Sequence, residues 1–260
     1  MFLVNSVPAL QRSAVRSFAT FVLAGILLAG CAAAPPGADP GDPFEAANRK
    51  VHAFNKGLDT AVLRPASLAY GAAVPEAMRA GVNNVARNAA APGDVINNIL
   101  QGDVAGAATN TFRFAVNTTV GVFGLVDVAG GIGLPAVETD FGQTLAVWGV
   151  AEGPYLELPL FGPSTSRAAA GLAVDFALDP LRGAIDAGQM RAVQGTRAAE
   201  IVDLRYRFGT SIDGVLYDSA DSYAQSRLLY LQNRRFELGG TGPDDGDDEG
   251  LDLYEDLYAQ

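Results

Sequence analysis

The chain has 260 residues, 49% of them hydrophobic, which is ample for one substantial core. Its formal charge is −11; setting aside the eight acids of 239–260 and the two leader arginines, Arg12 and Arg16, leaves only −5 on the body, so nucleic acid is excluded as an expected partner. One histidine, His52, and one cysteine, Cys31, exclude a disulfide and a zinc-type site of three or four soft ligands.

Arg12 and Arg16 precede an uncharged, largely apolar stretch at 18–30. It is thirteen residues long, short of the ~20 needed to span a bilayer, and so reads as the core of an export signal over 1–30. It ends in Leu28-Ala29-Gly30-Cys31, a lipobox that places the lone thiol where a diacylglycerol would be attached. Lipidation of Cys31, with several acyl chains, gives durable membrane anchoring. Ala32 takes the place of the aspartate that commonly retains such proteins at the inner membrane, which favours the outer one. Residues 31–41 form a Pro- and Gly-rich linker, 42–238 the folded body, and 239–260 an acidic tail expected to be disordered.

In the body, Asp42 is expected to N-cap a helix with Pro43 in its first turn and Glu45 closing a capping box. Phe44, Ala47, Val51, Phe54 and Leu58 recur at helical spacing, predicting an amphipathic helix of ~17 residues that Pro65 ends. Pro75 opens a second helix, Pro92 and Asp94 a third, and Gly102-Asp103 separates these from a fourth through Phe112 and Val116. The stretch 120–135 has five glycines and a single charge, Asp127, and suits backbone packed closely in apolar surroundings. A second irregular, apolar stretch is expected over 141–163. Ser164 is the expected N-cap of a helix running to Leu178; further helices are predicted over 196–208 and from Ser219 or Asp221 to about Leu238. Arg234 and Arg235 suit the dipole at the end of the last. The fold class is therefore all-α, with an irregular Gly-rich apolar hairpin in its centre.

No catalytic apparatus is expected. His52 is the only available imidazole and no Gly-x-Ser-x-Gly elbow accompanies it, so an exposed or capping role is expected there. Asp244 to Glu249 lack the spacing of an EF-hand, and Glu138, Asp140, Glu152 and Glu157 read as solvated or capping acids. The glycines of 121–133 match neither a dinucleotide nor a P-loop pattern. No cofactor or metal is implied, and binding or transport is favoured over catalysis.

The ordered motifs carry a resemblance. Asp42-Pro43-Phe44-Glu45, Asn48-Arg49, Phe54-Asn55 and Arg64-Pro65 are followed by Asn97-Asn98-Ile99-Leu100-Gln101-Gly102, Arg113-Phe114 and Asn117-Thr118-Thr119. Then come Gly121, Gly124 and Asp127-Val128-Ala129-Gly130, the block Asp140-Phe141-Gly142-Gln143-Thr144-Leu145, Trp148-Gly149-Val150 and Gly153-Pro154-Tyr155. Together these resemble the VacJ/MlaA lipoproteins over about 42–237. The resemblance implies a ring-shaped bundle of amphipathic helices around a central pore, seated in the periplasmic leaflet of a Gram-negative outer membrane. It further implies that phospholipid strayed into the outer leaflet is removed and passed to a periplasmic lipid-carrier protein, with an outer-membrane porin trimer as partner. On this reading Asn97, Asn98, Arg113, Asn117 and Thr118 are candidates for the lipid path. Gly121, Gly124, Gly130, Gly131 and Gly149 are candidates for a gating hairpin. Arg113 has a second reading as a partner of Asp127, and Asn117 as a helix cap. The competing function is a structural envelope lipoprotein that scaffolds porin assemblies without moving lipid. Where many members carry an acid after the arginine of Ser166-Arg167-Ala168, this chain has Ala168.

Overall fold

A computed structural model describes residues 42–239; the export signal, Cys31, the linker and the acidic tail from 240 onward lie outside the described residues. The elements in chain order are α1 (Glu45–Leu58), α2 (Arg64–Ala73), α3 (Glu76–Gln101), α4 (Val104–Thr119), the single turn α5 (Val128–Gly131) and α6 (Phe141–Val147). A two-stranded hairpin, β1 (Tyr155–Leu158) and β2 (Gly162–Thr165), precedes α7 (Ser166–Leu178), the short α8 (Leu181–Ala184), α9 (Ala187–Arg207), α10 (Gly209–Leu216) and α11 (Ser222–Glu237). The expected all-α class holds, with that hairpin as its one sheet among the described residues.

Two prolines expected to break helices do not. A π-helical turn, Asp59–Leu63, joins α1 to α2, with Pro65 inside the first turn of α2. The wider turn absorbs the hydrogen bond that proline cannot donate. Pro92 lies inside the 26-residue α3, which runs unbroken from Glu76 to Gln101. The cost of that missing N–H is met by tertiary packing, because α3 lies along both α4 and α9. Pro75, by contrast, N-caps α3, and Gly102 closes it in the left-handed conformation at φ 77°.

Several caps fall beside their expected positions. Phe44, not Asp42, occupies the N-cap of α1, with no side-chain cap. Thr165 rather than Ser164 caps α7, donating its position to strand β2 as well. Asp186 and Gln189 form a capping box that starts α9 nine residues before the predicted onset at Thr196. The stretch 141–163 is more regular than its glycines suggest: Asp140 accepts from the Gln143 N–H to cap α6, and Tyr155 pairs with Thr165 and Leu158 with Gly162 in the antiparallel hairpin.

The hairpin is held by α1 through two asparagines. Asn48 Nδ2 donates to the Tyr155 carbonyl (3.1 Å) and its Oδ1 accepts from the Glu157 N–H (3.0 Å). Asn55 repeats this with the Leu158 carbonyl (3.0 Å) and the Leu160 N–H (2.9 Å). Seven helical residues rise ~10.5 Å and three strand residues ~10 Å. The two amides therefore stand at the spacing of a third strand, and satisfy the edge of β1 as one would.

The interior reverses the usual distribution. Among the described residues the buried apolar side chains are five alanines, Tyr155 and Tyr223, while nineteen polar or charged residues are buried. Not one Leu, Ile, Val, Phe, Met or Trp is among them, whereas Phe54, Phe112, Phe123, Phe161, Phe176 and Phe236 are all at least half exposed. On α1 the expected apolar face is outward at Phe54, and the buried residues are Asn48 and His52. Small residues let the elements approach closely: a Cβ on Gly171 of α7 would stand 2.3 Å from the Gly142 amide nitrogen of α6.

Candidate functional site

The first motif of the resemblance turns out to be an anchor. Asp42 is fully buried and accepts from Asn48 Nδ2 (2.8 Å) and from the Tyr223 hydroxyl, with Arg227 3.6 Å away. Pro43 directs the chain into α1. Arg49 reaches Asp221, the N-cap of α11, with both Nη atoms, at 3.0 and 2.9 Å, over the Tyr223 ring. Tyr155 is 1% exposed, its hydroxyl on Glu157 and its ring edge-on to Tyr223; burial first, then Glu157, pushes its pKa up.

His52 belongs to this cluster and is buried, not exposed. Its Nε2 lies 3.0 Å from Ser222 Oγ and its Nδ1 3.4 Å from Glu157 Oε1. The order Ser-His-Glu resembles a hydrolytic triad. Glu157, however, is shared with the Tyr155 hydroxyl and Asn55, and none of the three lines the cavity described next. They serve to join α1, β1 and α11.

The candidate site is a cavity of about 870 Å³ between α3, α4, α6, α9 and α11, within the size range of small-molecule sites. Its wall carries six carboxylates (Asp94, Asp127, Glu138, Asp140, Glu200, Glu237) and four guanidiniums (Arg87, Arg113, Arg197, Arg234). Arg113 holds Asp127 through Nη2 at 3.0 Å to each carboxylate oxygen, and also donates to the Leu134 carbonyl. Asn117 bridges the same group, donating to Asp127 (2.8 Å) and accepting from the Ala129 N–H (3.0 Å). Burial pushes the Asp127 carboxyl up, but the Gly130 N–H, Asn117 and Arg113 outweigh it and hold it below the ordinary range. The Arg113–Asp127 pairing is thus realised, whereas Asn117 lies inside α4 and Asp127, not Asn117, caps α5; both residues face the cavity.

The other path candidates lie elsewhere. Asn97 accepts from Thr144 (2.9 Å) and donates to Asp175 (3.0 Å); Asn98, 1% exposed, accepts from Asn110 (2.9 Å). Neither lines the cavity. They point between helices because a polar side chain enclosed by protein must find partners there. Thr118 accepts from Asn88 (3.0 Å) behind the cavity wall. Residues missed by sequence reasoning include Asp94, Arg87, Arg197 and Arg234. Arg234 is not a solvated dipole partner: it is buried and donates to Asp140 (2.7 Å) and Glu237 (3.0 Å). The signal that could have found them is charge recurring at helical spacing on α3 and α9, opposite the apolar faces.

The Gly-rich stretch is a closed turn and not a strand hairpin. Phe123 N–H donates to the Thr118 carbonyl, Gly124 to Asn117 and Val126 to Gly121, at 3.0, 2.8 and 2.9 Å. Gly121 and Gly124 are required there: a Cβ on Gly121 would meet the Val126 carbonyl at 2.2 Å, and Gly124 has φ 88° against Asn88. Val122 and Phe123 are themselves left-handed at φ 54° and 57° and are 59% and 77% exposed. A β-branched residue in that region is strained. Gly130 leaves room for the Asp127 cap, Gly131 faces open space, and Gly149 and Gly153 have φ 82° and 69°. Pro154 follows, its carbonyl accepting from Ser166 N–H (3.0 Å). Phe141 packs edge-on to Trp148, and Thr144 is fully buried.

Among the described residues no group of acidic, His or Cys side chains could hold a metal ion, and no helix is long and apolar enough to cross a membrane. The sequence matches the family described as MlaA lipoprotein over residues 40–237. A Rickettsia felis protein is 42% identical over 141 residues, 54% of this chain, and the chain spans only 56% of that protein's length. The intermembrane phospholipid transport system lipoproteins MlaA of Shigella flexneri and Escherichia coli K12 are 34% and 33% identical over 221 and 224 residues. Those two matches cover 82% of this chain and 85% of each relative. A solved structure described as the structural basis for maintenance of bacterial outer membrane lipid asymmetry is similar with a TM-score of 0.66 at 33% identity, covering 76% of this chain and 98% of its own. On this match over residues 40–237, the chain belongs to the MlaA lipoprotein family.

Proposed function

We propose that this chain is an outer-membrane lipoprotein, anchored through Cys31, that removes phospholipid from the outer leaflet. The lipid passes along the charged cavity to a soluble periplasmic carrier, as part of a system that keeps the outer membrane asymmetric. The single observation that carries the reading is the reversed interior: a polar, ionised cavity inside, and large apolar side chains outside. In water each exposed Leu, Phe or Ile forgoes ~1.5–3 kcal/mol of burial, so a surface this rich in them suits acyl chains as its surroundings. A headgroup then has a polar route while its chains stay in lipid. The chemistry that the relatives' names describe, intermembrane phospholipid transport, is consistent with this division.

Seating within one leaflet accords with the lack of a membrane-crossing helix among the described residues. A porin trimer is the proposed membrane partner. The turn at 120–135 and Gly149 are the proposed gate, its strained apolar tip at Val122 and Phe123 standing where lipid would enter. A scaffold without transport has no use for six carboxylates and four guanidiniums around a cavity.

The test is the phospholipid content of the outer leaflet in cells with the wild-type chain, without it, and with Cys31→Ala. A rise in both altered strains is expected. A flat level in both, with porin assembly impaired, would instead assign the scaffold role.

A further inference from the structure

We infer that the cavity selects phospholipids whose headgroup carries a primary ammonium over anionic ones, and that Asp94 and Glu138 hold that ammonium. The inference rests on the lipid-path reading above and deepens it.

Every arginine of the wall is already committed. Arg113 is taken by Asp127, Arg234 by Asp140 and Glu237, and Arg87 by Glu200 at 3.4 Å. Arg197 pairs with Asp179, which lies off the cavity wall, at 3.0 Å. The acids are not all committed. Asp94 accepts only the Thr139 N–H, at 3.3 Å, and Glu138 has no hydrogen bond or ion pair among the described residues. Because Thr139 contacts Asp94, Glu138 is one residue away, and the two negative charges face the same space with Asp140 and Asp175 adding to the field. Burial, reinforced by these neighbours, pushes the Asp94 carboxyl up to about 7. A cation between the two would relieve that repulsion.

A second observation is independent of these charges. Asn88, on the same helical wall, is 9% exposed, and its Oδ1 is buried with no partner while Nδ2 serves Thr118. A buried acceptor without a donor is a rarity, and Asn88 lines the same cavity as the two acids. An ammonium brings three N–H donors and a positive charge. An anionic headgroup would bring a further negative charge and find no unpaired guanidinium to receive it. The phosphodiester is common to both headgroup classes and does not discriminate between them.

The acylated full chain is reconstituted in vesicles of equimolar phosphatidylethanolamine and phosphatidylglycerol, withdrawn in mild detergent, and its retained lipid identified by mass spectrometry. The expected result is an enrichment of phosphatidylethanolamine of about tenfold, falling to within about twofold in Asp94→Asn/Glu138→Gln. The exposed Glu138→Gln alone keeps the test decisive should the double variant not fold, with a partial loss of enrichment expected. Equal retention of both lipids by the wild-type chain, or enrichment that persists in the variants, overturns the inference while leaving the lipid path standing. Retention of neither lipid by the wild-type chain overturns the lipid path itself.

Discussion

Replacing Asn48 with alanine removes the amide that stands in for a third strand, and the structure sets the size of the effect. Asn48 is 4% exposed, and its loss leaves the Glu157 N–H, the Tyr155 carbonyl and Asp42 Oδ1 each short of a partner. An orphaned buried donor or acceptor costs ~1–3 kcal/mol; with some relief from water at the hairpin edge, Asn48→Ala should cost roughly 3–5 kcal/mol. Asn55 is half-buried and bonds the Leu158 carbonyl and the Leu160 N–H, which water can reach, so Asn55→Ala should cost only ~1 kcal/mol. Asn48→Asp separates hydrogen bonding from size: it keeps an acceptor for the Glu157 N–H but turns a second oxygen toward Asp42 and the Tyr155 carbonyl. It should destabilise at least as much as alanine. Denaturant unfolding followed by helical circular dichroism gives the differences, and amide exchange gives their location. The Glu157 N–H should lose protection in Asn48→Ala and the Leu160 N–H in Asn55→Ala. An Asn48→Ala cost below ~1 kcal/mol, or unchanged exchange at Glu157, would refute the idea that the amides act as a strand.

Three further outcomes are expected. Asp94, raised to about 7 chiefly by burial and then by its acidic neighbours, binds its proton more tightly folded than unfolded; its contribution is full below the unfolded value near ~4 and is lost as pH rises through about 7. Asp94→Asn should therefore gain stability relative to wild type between pH 4 and 8, which melting temperatures across that range will check. Asp203 behaves oppositely: burial raises its carboxyl, but Arg79, Asn83 and Arg207 outweigh this and hold it below the ordinary value. Its stabilisation is present above ~4 and lost as pH falls through the folded value, so Asp203→Asn should lower the melting temperature at pH 7 and flatten the acid limb of the profile. Gly171→Ala places a Cβ 2.3 Å from the Gly142 backbone and should cost ~1–3 kcal/mol by forcing α6 and α7 apart, measured by the denaturation midpoint.

What the sequence by itself determined is local. Pro75, Gly102, Asp103 and Asp221 bound their helices where nearest-neighbour chemistry places them, because a cap acts within one turn. The Arg113–Asp127 pair, fourteen residues apart, was also within reach of that reasoning. Only the tertiary structure decided which faces turn inward. Asp42 reads as a helix cap until Asn48 and Tyr223, the latter 181 residues away, enclose it. Arg234 reads as a dipole partner until Asp140 is brought against it across 94 residues. Apolar periodicity finds a helix correctly but assigns its apolar side to the core, and here Phe54 faces out while Asn48 and His52 face in. The physical reason is that periodicity reports only that a helix has two unlike sides. Which side is buried depends on whether the medium beyond it is water or hydrocarbon, and periodicity carries no information about that medium.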